Sequence, residues 1–159
     1  MNATTSYQAI IPSPIGPLGI VMEKGRLCRI GFLSDETALQ AAEDEPAAQV
    51  AAQLQHYFKQ ADWHFSLPLQ PTGTAFQQKV WWQLQQIPMG EVRTYGEIAR
   101  ALGSGPRAVG NACRNNPLPV VVPCHRVVAA NGPGGFAGQT RGRNISIKGW
   151  LLAHEGVTL

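Results

Sequence analysis

The chain has 159 residues, of which 44% are hydrophobic and 14% are charged, a composition that argues against intrinsic disorder and predicts a packed interior. No apolar run reaches the ~20 residues of a membrane-spanning helix, and the N-terminus lacks the charged and apolar regions of a secretory signal. Cys28, Cys113 and Cys124 form no C-x-x-C pair, so neither a disulfide framework nor a zinc ribbon is predicted. We therefore expect reduced thiols, a cytoplasmic location, no membrane association and no bound metal.

Charge is distributed unevenly along the chain. Residues 1–72 contain four Lys or Arg and seven Asp or Glu, a net charge of −3, whereas residues 73–159 contain nine against three, a net charge of +6. Eight of those nine basic residues lie between Arg93 and Lys148. This pattern favours a polyanion as the partner, although arginines scattered over a solvated surface would give the same numbers. The change of composition at Pro71-Thr72-Gly73 predicts a boundary between two lobes.

The first lobe, residues 1–72, is predicted to be a small α/β unit. Three short runs rich in branched residues, 7–11, 18–22 and 27–32, are separated by turn-forming segments, which predicts a meander of antiparallel strands. Residues 47–58 place apolar side chains on one helical face that would cover this sheet. No reactive set of side chains is found here, so the lobe is interpreted as a scaffold.

The second lobe, residues 73–159, is predicted to be mainly helical. Apolar spacing predicts a first helix over residues 74–87. Thr94 and Glu97 match a capping box at the start of a second helix, and Gly103 is a suitable residue to end it.

A further helix is predicted over residues 107–114. Two short helices joined by a tight, glycine-containing turn outline a helix-turn-helix. Arg107 would lie at the start of the second of these helices, where such proteins present side chains to bases. A capping or salt-bridging arginine is the alternative interpretation of Arg107.

A cysteine and a histidine follow an apolar run in this lobe. Residues 120–122 are all valine, which predicts a buried strand ahead of Pro123. Adjacent side chains on a strand point to opposite faces, so Cys124 and His125 can act together only if Pro123 introduces a turn or a water molecule bridges them. A histidine polarised by a carboxylate can deprotonate a thiol whose ordinary pKa is ~8.5. A buried structural cysteine is the alternative.

Several motifs taken together resemble one known family. They are Arg107-Ala108-Val109-Gly110, Asn115-Asn116-Pro117, Pro123-Cys124-His125-Arg126-Val127 and Trp150-Leu151-Leu152-Ala153-His154-Glu155-Gly156. With residues 13–18 and 74–81 they are similar, in order and over nearly the whole chain, to the alkylguanine-DNA alkyltransferases, the methylated-DNA-protein-cysteine S-methyltransferases. The resemblance implies an α/β fold: a ribonuclease-H-like first lobe with a small antiparallel sheet, followed by a helical, winged helix-turn-helix-like lobe for DNA binding and chemistry.

The resemblance also implies a function. The protein would flip out a guanine alkylated on its exocyclic oxygen and transfer the alkyl group irreversibly to Cys124, in a single-turnover (suicide) reaction. His125 would be the water-mediated base, Glu155 the carboxylate that orients His125, and Asn116 the hinge residue next to the active-site turn. The partner would be double-stranded DNA, and the protein would bind its minor groove as a monomer without a cofactor.

Residues for DNA binding and for the substrate pocket follow from the same resemblance. Tyr95 would pair with the lesion base, and Arg107 would fill the space that the flipped base leaves; Arg114 and Arg126 are expected to contact DNA. The pocket would be lined by Tyr95, Val127, Phe136, Ala137 and Gly138. Phe136 occupies a position where tyrosine is common, so stacking would carry that contact. The segment from Gln139 to Ile147 is expected to be a longer loop than in the shortest relatives.

Two other functions remain open at this stage. A cysteine hydrolase acting on amides or esters would use the same Cys124 and His125, and turnover of an ester reporter would identify it. A module that binds alkylated DNA without reacting is the second alternative, but relatives of that kind lack the cysteine.

Overall fold

The computed structural model describes residues 6–132, 134–136 and 142–158. The chain forms two compact units, Met1–Thr72 and Gly73–Leu159, with mixed α/β structure in the first and mainly helices in the second. Among the described residues, no helix has both the length and the apolar character needed to cross a membrane.

The first unit is an antiparallel sheet covered by a helix. Its strands, in the order β1-β2-β3, are Ala9–Ile11, Leu18–Glu23 and Arg26–Phe32. Helix α1 (Glu45–Lys59) begins at Asp44, whose carboxylate accepts a hydrogen bond from the Ala47 N–H and so satisfies one of the free amides of the first turn. Buried apolar side chains fill the space between α1 and the sheet. The predicted strands and helix are confirmed.

The second unit, in its described part, combines helices with a two-stranded parallel sheet. The helices are α2 (Ala75–Gln85), α3 (Tyr95–Leu102), α4 (Pro106–Arg114) and α5 (Arg143–His154), with a short 3-10 helix at Cys124–Arg126. Strand β4 (Arg93–Thr94) pairs with β5 (Val127–Val128). The sheet therefore connects the residues before α3 with the residues that follow the 3-10 helix.

The helix-turn-helix expected from the sequence is formed by α3 and α4. The Thr94 hydroxyl accepts from the Glu97 N–H, and the Glu97 carboxylate accepts from the Thr94 N–H, as the capping box predicts. Gly103 ends α3 with φ 66°, in the left-handed region that glycine adopts without steric cost. The Trp81 indole N–H donates to the Ala112 carbonyl at 2.8 Å, which ties α2 to α4.

Two expectations about the second unit are wrong. Residues 120–122 are buried but form turns instead of a strand, because their backbone groups bond locally: the Val122 N–H donates to Leu118, and the Val122 carbonyl accepts from Cys124. The segment from Gln139 to Ile147 is not a loop throughout, since residues 143–147 begin α5. Its residues 139–141 lie outside the described part of the chain.

Candidate active site

A network of backbone and amide hydrogen bonds shapes the turn that presents Cys124. The Cys124 N–H donates to the Val122 carbonyl at 2.8 Å across Pro123, whose φ −81° and ψ 67° define an inverse γ-turn. The Asn116 side chain donates from Nδ2 to the same carbonyl at 2.9 Å and accepts from the Leu118 N–H at 2.9 Å. Asn116 therefore joins the end of α4 to the turn that carries the thiol.

Val120 lies in this turn in an unusual backbone conformation. Its φ is 75°, in the left-handed region that β-branched residues rarely adopt. Such a conformation costs of the order of 1–3 kcal/mol and persists only where the surroundings hold it. Here the surroundings are the two hydrogen bonds of Asn116 and the burial of residues 118–125. The path of the chain into Cys124 is thus imposed by its neighbours.

A buried cluster of His125, Arg126 and Glu155 lies beside the turn. Glu155 Oε2 is 2.7 Å from His125 Nε2 and accepts from Arg126 Nη2 at 3.1 Å, while Oε1 accepts from Arg126 Nε at 2.8 Å. Arg126 Nη1 donates to the Ile87 carbonyl at 2.7 Å. The guanidinium is thus directed into the protein, with 13% of its side chain exposed. This position differs from the DNA contact expected for Arg126.

His125 is a neutral imidazole at neutral pH, which is the form that can act as a base. Burial lowers the pKa of the imidazole, and the hydrogen bond and charge of Glu155 oppose that shift only in part. Because Nε2 faces a carboxylate, the proton of the neutral ring lies on Nε2, and Nδ1 carries the free lone pair. Nδ1 is buried, and the described protein residues offer it no hydrogen-bond partner. The arrangement leaves Nδ1 available to accept a proton.

Cys124 is a buried thiol that needs such a base. Burial raises the pKa of Cys124, and hydrogen bonding from Asn116 and the charge of Lys148 lower it in part. Burial also raises the pKa of Cys28 and of Cys113, and all three cysteines are free thiols. Of the three, Cys124 is the one followed directly in the chain by a histidine, His125, whose Nε2 is bound to the Glu155 carboxylate.

Lys148, which in the sequence is counted only among the basic residues, lies next to the turn that carries Cys124. The Lys148 ammonium, fully buried on α5, donates to the Val127 carbonyl at 2.7 Å and to the Gly135 carbonyl at 2.9 Å. The Tyr95 hydroxyl donates to the same Gly135 carbonyl at 3.4 Å. A sequence signal was present, because Lys148 shares a helical face with the apolar Leu151 and Leu152.

The other expected site residues lie in two environments. Arg107 and Arg114 are exposed at the two ends of α4, whereas Tyr95 is half-buried at the first residue of α3. Val127 and Phe136 are buried. Ala137 and Gly138, also expected in the pocket, lie outside the described residues. Within the described ranges, no cluster of three or more His, Cys, Asp or Glu side chains is placed to hold a metal ion.

The sequence matches family models over both units. The ribonuclease-like domain of 6-O-methylguanine DNA methyltransferase matches residues 6–71, and the DNA binding domain of 6-O-methylguanine DNA methyltransferase matches residues 75–157. The methylated-DNA–protein-cysteine methyltransferase of Methanosarcina acetivorans is 39% identical over 157 residues, covering 94% of this chain and 98% of the relative. The constitutive protein of that name from Bacillus subtilis is 41% identical over 165 residues, covering 96% and 97%.

Solved structures show the same relationship. The Mycobacterium tuberculosis O6-methylguanine methyltransferase has a TM-score of 0.77 at 35% identity, covering 94% of this chain and 93% of that one. The structure of the Mycobacterium tuberculosis protein in complex with DNA has a TM-score of 0.73 at 38% identity, covering 92% and 90%. Since sequence and fold agree over both units, this chain belongs to the 6-O-methylguanine DNA methyltransferase family.

Proposed function

We propose that this protein repairs DNA by moving the alkyl group of a guanine, alkylated on its exocyclic oxygen, to its own Cys124. The observation that carries the assignment to Cys124 is a buried thiol followed by a neutral histidine whose Nε2 is held by Glu155 at 2.7 Å. A thioether has no route back to the thiol within this site. Each molecule therefore acts once.

The proposed reaction begins with transfer of the Cys124 proton to His125 Nδ1 through a bridging water. The thiolate sulfur attacks the alkyl carbon, so that a carbon–sulfur bond forms while the carbon–oxygen bond breaks and its electron pair leaves with guanine. The guanine anion takes up one proton, which balances the proton lost by the thiol and restores guanine. Glu155, held by Arg126, keeps His125 in the tautomer that can accept at Nδ1.

DNA binding is proposed for the exposed surface of the helix-turn-helix. Arg107 and Arg114 project from α4, which we place in the minor groove, and such basic side chains suit contacts to phosphates and vacated base positions. A base inside a duplex cannot reach a buried thiol, so the lesion must be flipped out at a cost of a few kcal/mol. Arg107 would occupy the vacated stack. Tyr95 would contact the flipped base, and Val127 and Phe136 would line its pocket.

Arg126 receives a different role from the one expected from the resemblance. Its three nitrogens bind Glu155 and the Ile87 carbonyl, so we propose that it positions the carboxylate instead of contacting DNA. Residues 1–72 would act as a scaffold, and residues 73–159 would carry both DNA binding and chemistry. The protein would act as a monomer in the cytoplasm, a reducing compartment that suits three free thiols.

Mass spectrometry of the modified cysteine tests this function. The protein is incubated with a duplex that contains one O6-methylguanine and is then digested. We expect the Cys124 peptide to gain one methyl group in place of hydrogen, stoichiometrically with guanine restored, while the Cys28 and Cys113 peptides stay unmodified. C124A should bind the duplex but acquire no methyl group. Methylation that persists in C124A would contradict the assignment of the nucleophile.

Two outcomes would identify the alternatives. Repeated turnover of an ester or amide reporter without stoichiometric modification would show a hydrolase that uses Cys124 and His125. Tight binding of lesion DNA with no methyl gain on any cysteine would show a binding module.

A further inference from the structure

Trp81 supplies a hydrogen bond at the point where α4 ends. In a regular helix each carbonyl accepts from the N–H four residues later, and for Cys113 that residue is Pro117, which has no N–H. The Cys113 carbonyl accepts instead from the Asn116 N–H at 3.2 Å. That N–H is the regular donor for the Ala112 carbonyl, and the Trp81 indole N–H takes its place there at 2.8 Å. The indole therefore compensates for the donor that the proline removes.

The surroundings of this hydrogen bond make it necessary and fix its geometry. Ala112 and Trp81 are only 2% and 1% exposed, so water has little access to the carbonyl, and a buried carbonyl without a donor is disfavoured. On the far side of the indole, the six-membered ring lies against Gly73, where a side chain would overlap it. The ring is thus confined between the backbone of Gly73 and α4, with its N–H directed at Ala112.

The Asn116 residue at the end of α4 also carries the side chain that shapes the nucleophile turn. Its Nδ2 donates to the Val122 carbonyl and its Oδ1 accepts from the Leu118 N–H, both at 2.9 Å. The same side chain hydrogen-bonds Cys124 and opposes the rise in the thiol pKa that burial causes. If the Asn116 N–H moved back to the Ala112 carbonyl, the last turn of α4 would change and these side-chain atoms would move away from their partners.

We infer that Trp81 is a positioning residue for alkyl transfer: its indole N–H completes the end of α4 and thereby holds Asn116 against the turn that carries Cys124. The inference rests on the proposed function, because it concerns the same site. Trp81 acts through Asn116 and needs no contact of its own with the thiol or with DNA. Loss of the indole N–H should therefore affect Cys124 in the same way as a displaced Asn116 side chain.

The test removes the indole N–H and keeps an aromatic ring. The analogue 3-benzothienylalanine, in which sulfur replaces the indole N–H, is introduced site-specifically in place of Trp81, and W81F is made beside it. Trp82, the next residue of α2, is 59% exposed, so the same two replacements of Trp82 are the matched controls. Two rates are measured from pH 6 to pH 10, at a temperature where each variant is folded. They are alkylation of Cys124 by iodoacetamide, read on the Cys124 peptide, and methyl transfer from duplex DNA.

We expect the pH profile of Cys124 to shift when the donor of Trp81 is lost. Both Trp81 variants should react about three- to tenfold more slowly than wild type at pH 7 and should recover at higher pH, because loss of the Asn116 hydrogen bond raises the thiol pKa by about half a unit to one unit. Lys148, whose charge also lowers the pKa of Cys124, is the same in every variant. The Trp82 variants should match wild type. Rates that are reduced equally at every pH, or not reduced at all, would overturn the inference.

Hydrogen exchange measures the placement of Asn116 without any reaction at the thiol. The Leu118 N–H donates to Asn116 Oδ1, so it should exchange about tenfold faster in both Trp81 variants. The amide of Leu152, a buried residue of α5 in the same unit, is the internal reference and should exchange as in wild type. Equal acceleration of both amides would show general destabilisation and would overturn the inference. A wild-type protein that reacts with iodoacetamide at Cys124 but takes no methyl group from DNA would contradict the proposed function, while the iodoacetamide and exchange measurements would still decide the role of Trp81.

Discussion

Replacement of Glu155 by glutamine tests the buried cluster most directly. Glu155 accepts three N–H groups, one from His125 and two from Arg126. In E155Q one oxygen becomes an NH₂ group, so at least one of these donors faces another donor in either orientation of the amide. The variant also removes the negative charge that neutralises Arg126.

The expected loss follows from the burial of this group. The Glu155 side chain is fully buried, and that of Arg126 is 13% exposed. Breaking a buried ion pair from one side costs about 3–5 kcal/mol, because the remaining charge is left uncompensated. For a chain of this size, each 1 kcal/mol lowers the Tm by about 2–4 °C, so we expect a fall of about 6–20 °C. The rate of methyl transfer should fall at least about tenfold, since general base catalysis contributes about 10²–10⁴-fold.

Thermal unfolding of E155Q is followed by tryptophan fluorescence, and methyl transfer is measured at a temperature where E155Q is folded. The matched control is E97Q, because Glu97 is exposed and glutamine preserves its capping box with Thr94. E97Q should change the free energy of unfolding by no more than about 0.5 kcal/mol. An E155Q protein with a Tm within about 2 °C of wild type and an unchanged transfer rate would refute this account of the cluster.

Three further variants test separate parts of the site. R107A should slow repair of duplex DNA about 5- to 150-fold, which corresponds to a loss of about 1–3 kcal/mol of stacking free energy, but it should leave the reaction with free O6-alkylguanine nearly unchanged. R107K should rescue only part of the loss, because an ammonium has no planar group that can stack. Equal slowing of both reactions would place Arg107 outside the flipping step. N116A should destabilise the protein by about 1–3 kcal/mol in urea titrations, since the Leu118 N–H loses the Asn116 oxygen while the Val122 carbonyl keeps the Cys124 N–H. N115A, at an exposed position, should have a smaller effect, and similar urea midpoints for the two variants would contradict the role of Asn116. Burial lowers the pKa of His125 below 6.5, so at acidic pH the unfolded chain binds a proton that the folded chain does not. The free energy of unfolding should therefore decrease as the pH drops below about 6.5. If it depends on pH as steeply in H125Q as in wild type, His125 is not the cause of the pH dependence.

The sequence alone determined those features whose signals are local. Thr94 and Glu97 are three positions apart and cap α3 through each other, and Gly103 ends the same helix without help from distant residues. The Pro-Cys-His-Arg-Val motif likewise places Cys124 and His125 next to each other in the chain. Such interactions are completed within one turn of backbone, so residue type and spacing are enough to predict them.

The tertiary structure decided the features that depend on partners far along the chain. Residues 120–122 have the composition of a strand, but the left-handed φ of Val120 and the hydrogen bonds of Val122 to Leu118, Cys124 and the Asn116 side chain turn them back. Arg126 carries a charge that suits DNA, yet it binds Glu155, 29 residues away. Lys148 bonds the Val127 carbonyl 21 residues earlier. The charge of a residue does not reveal whether its partner will be a phosphate, a carboxylate or a carbonyl. The partner depends on whether the side chain is buried and on which groups lie near it, and both are determined only when the helices pack.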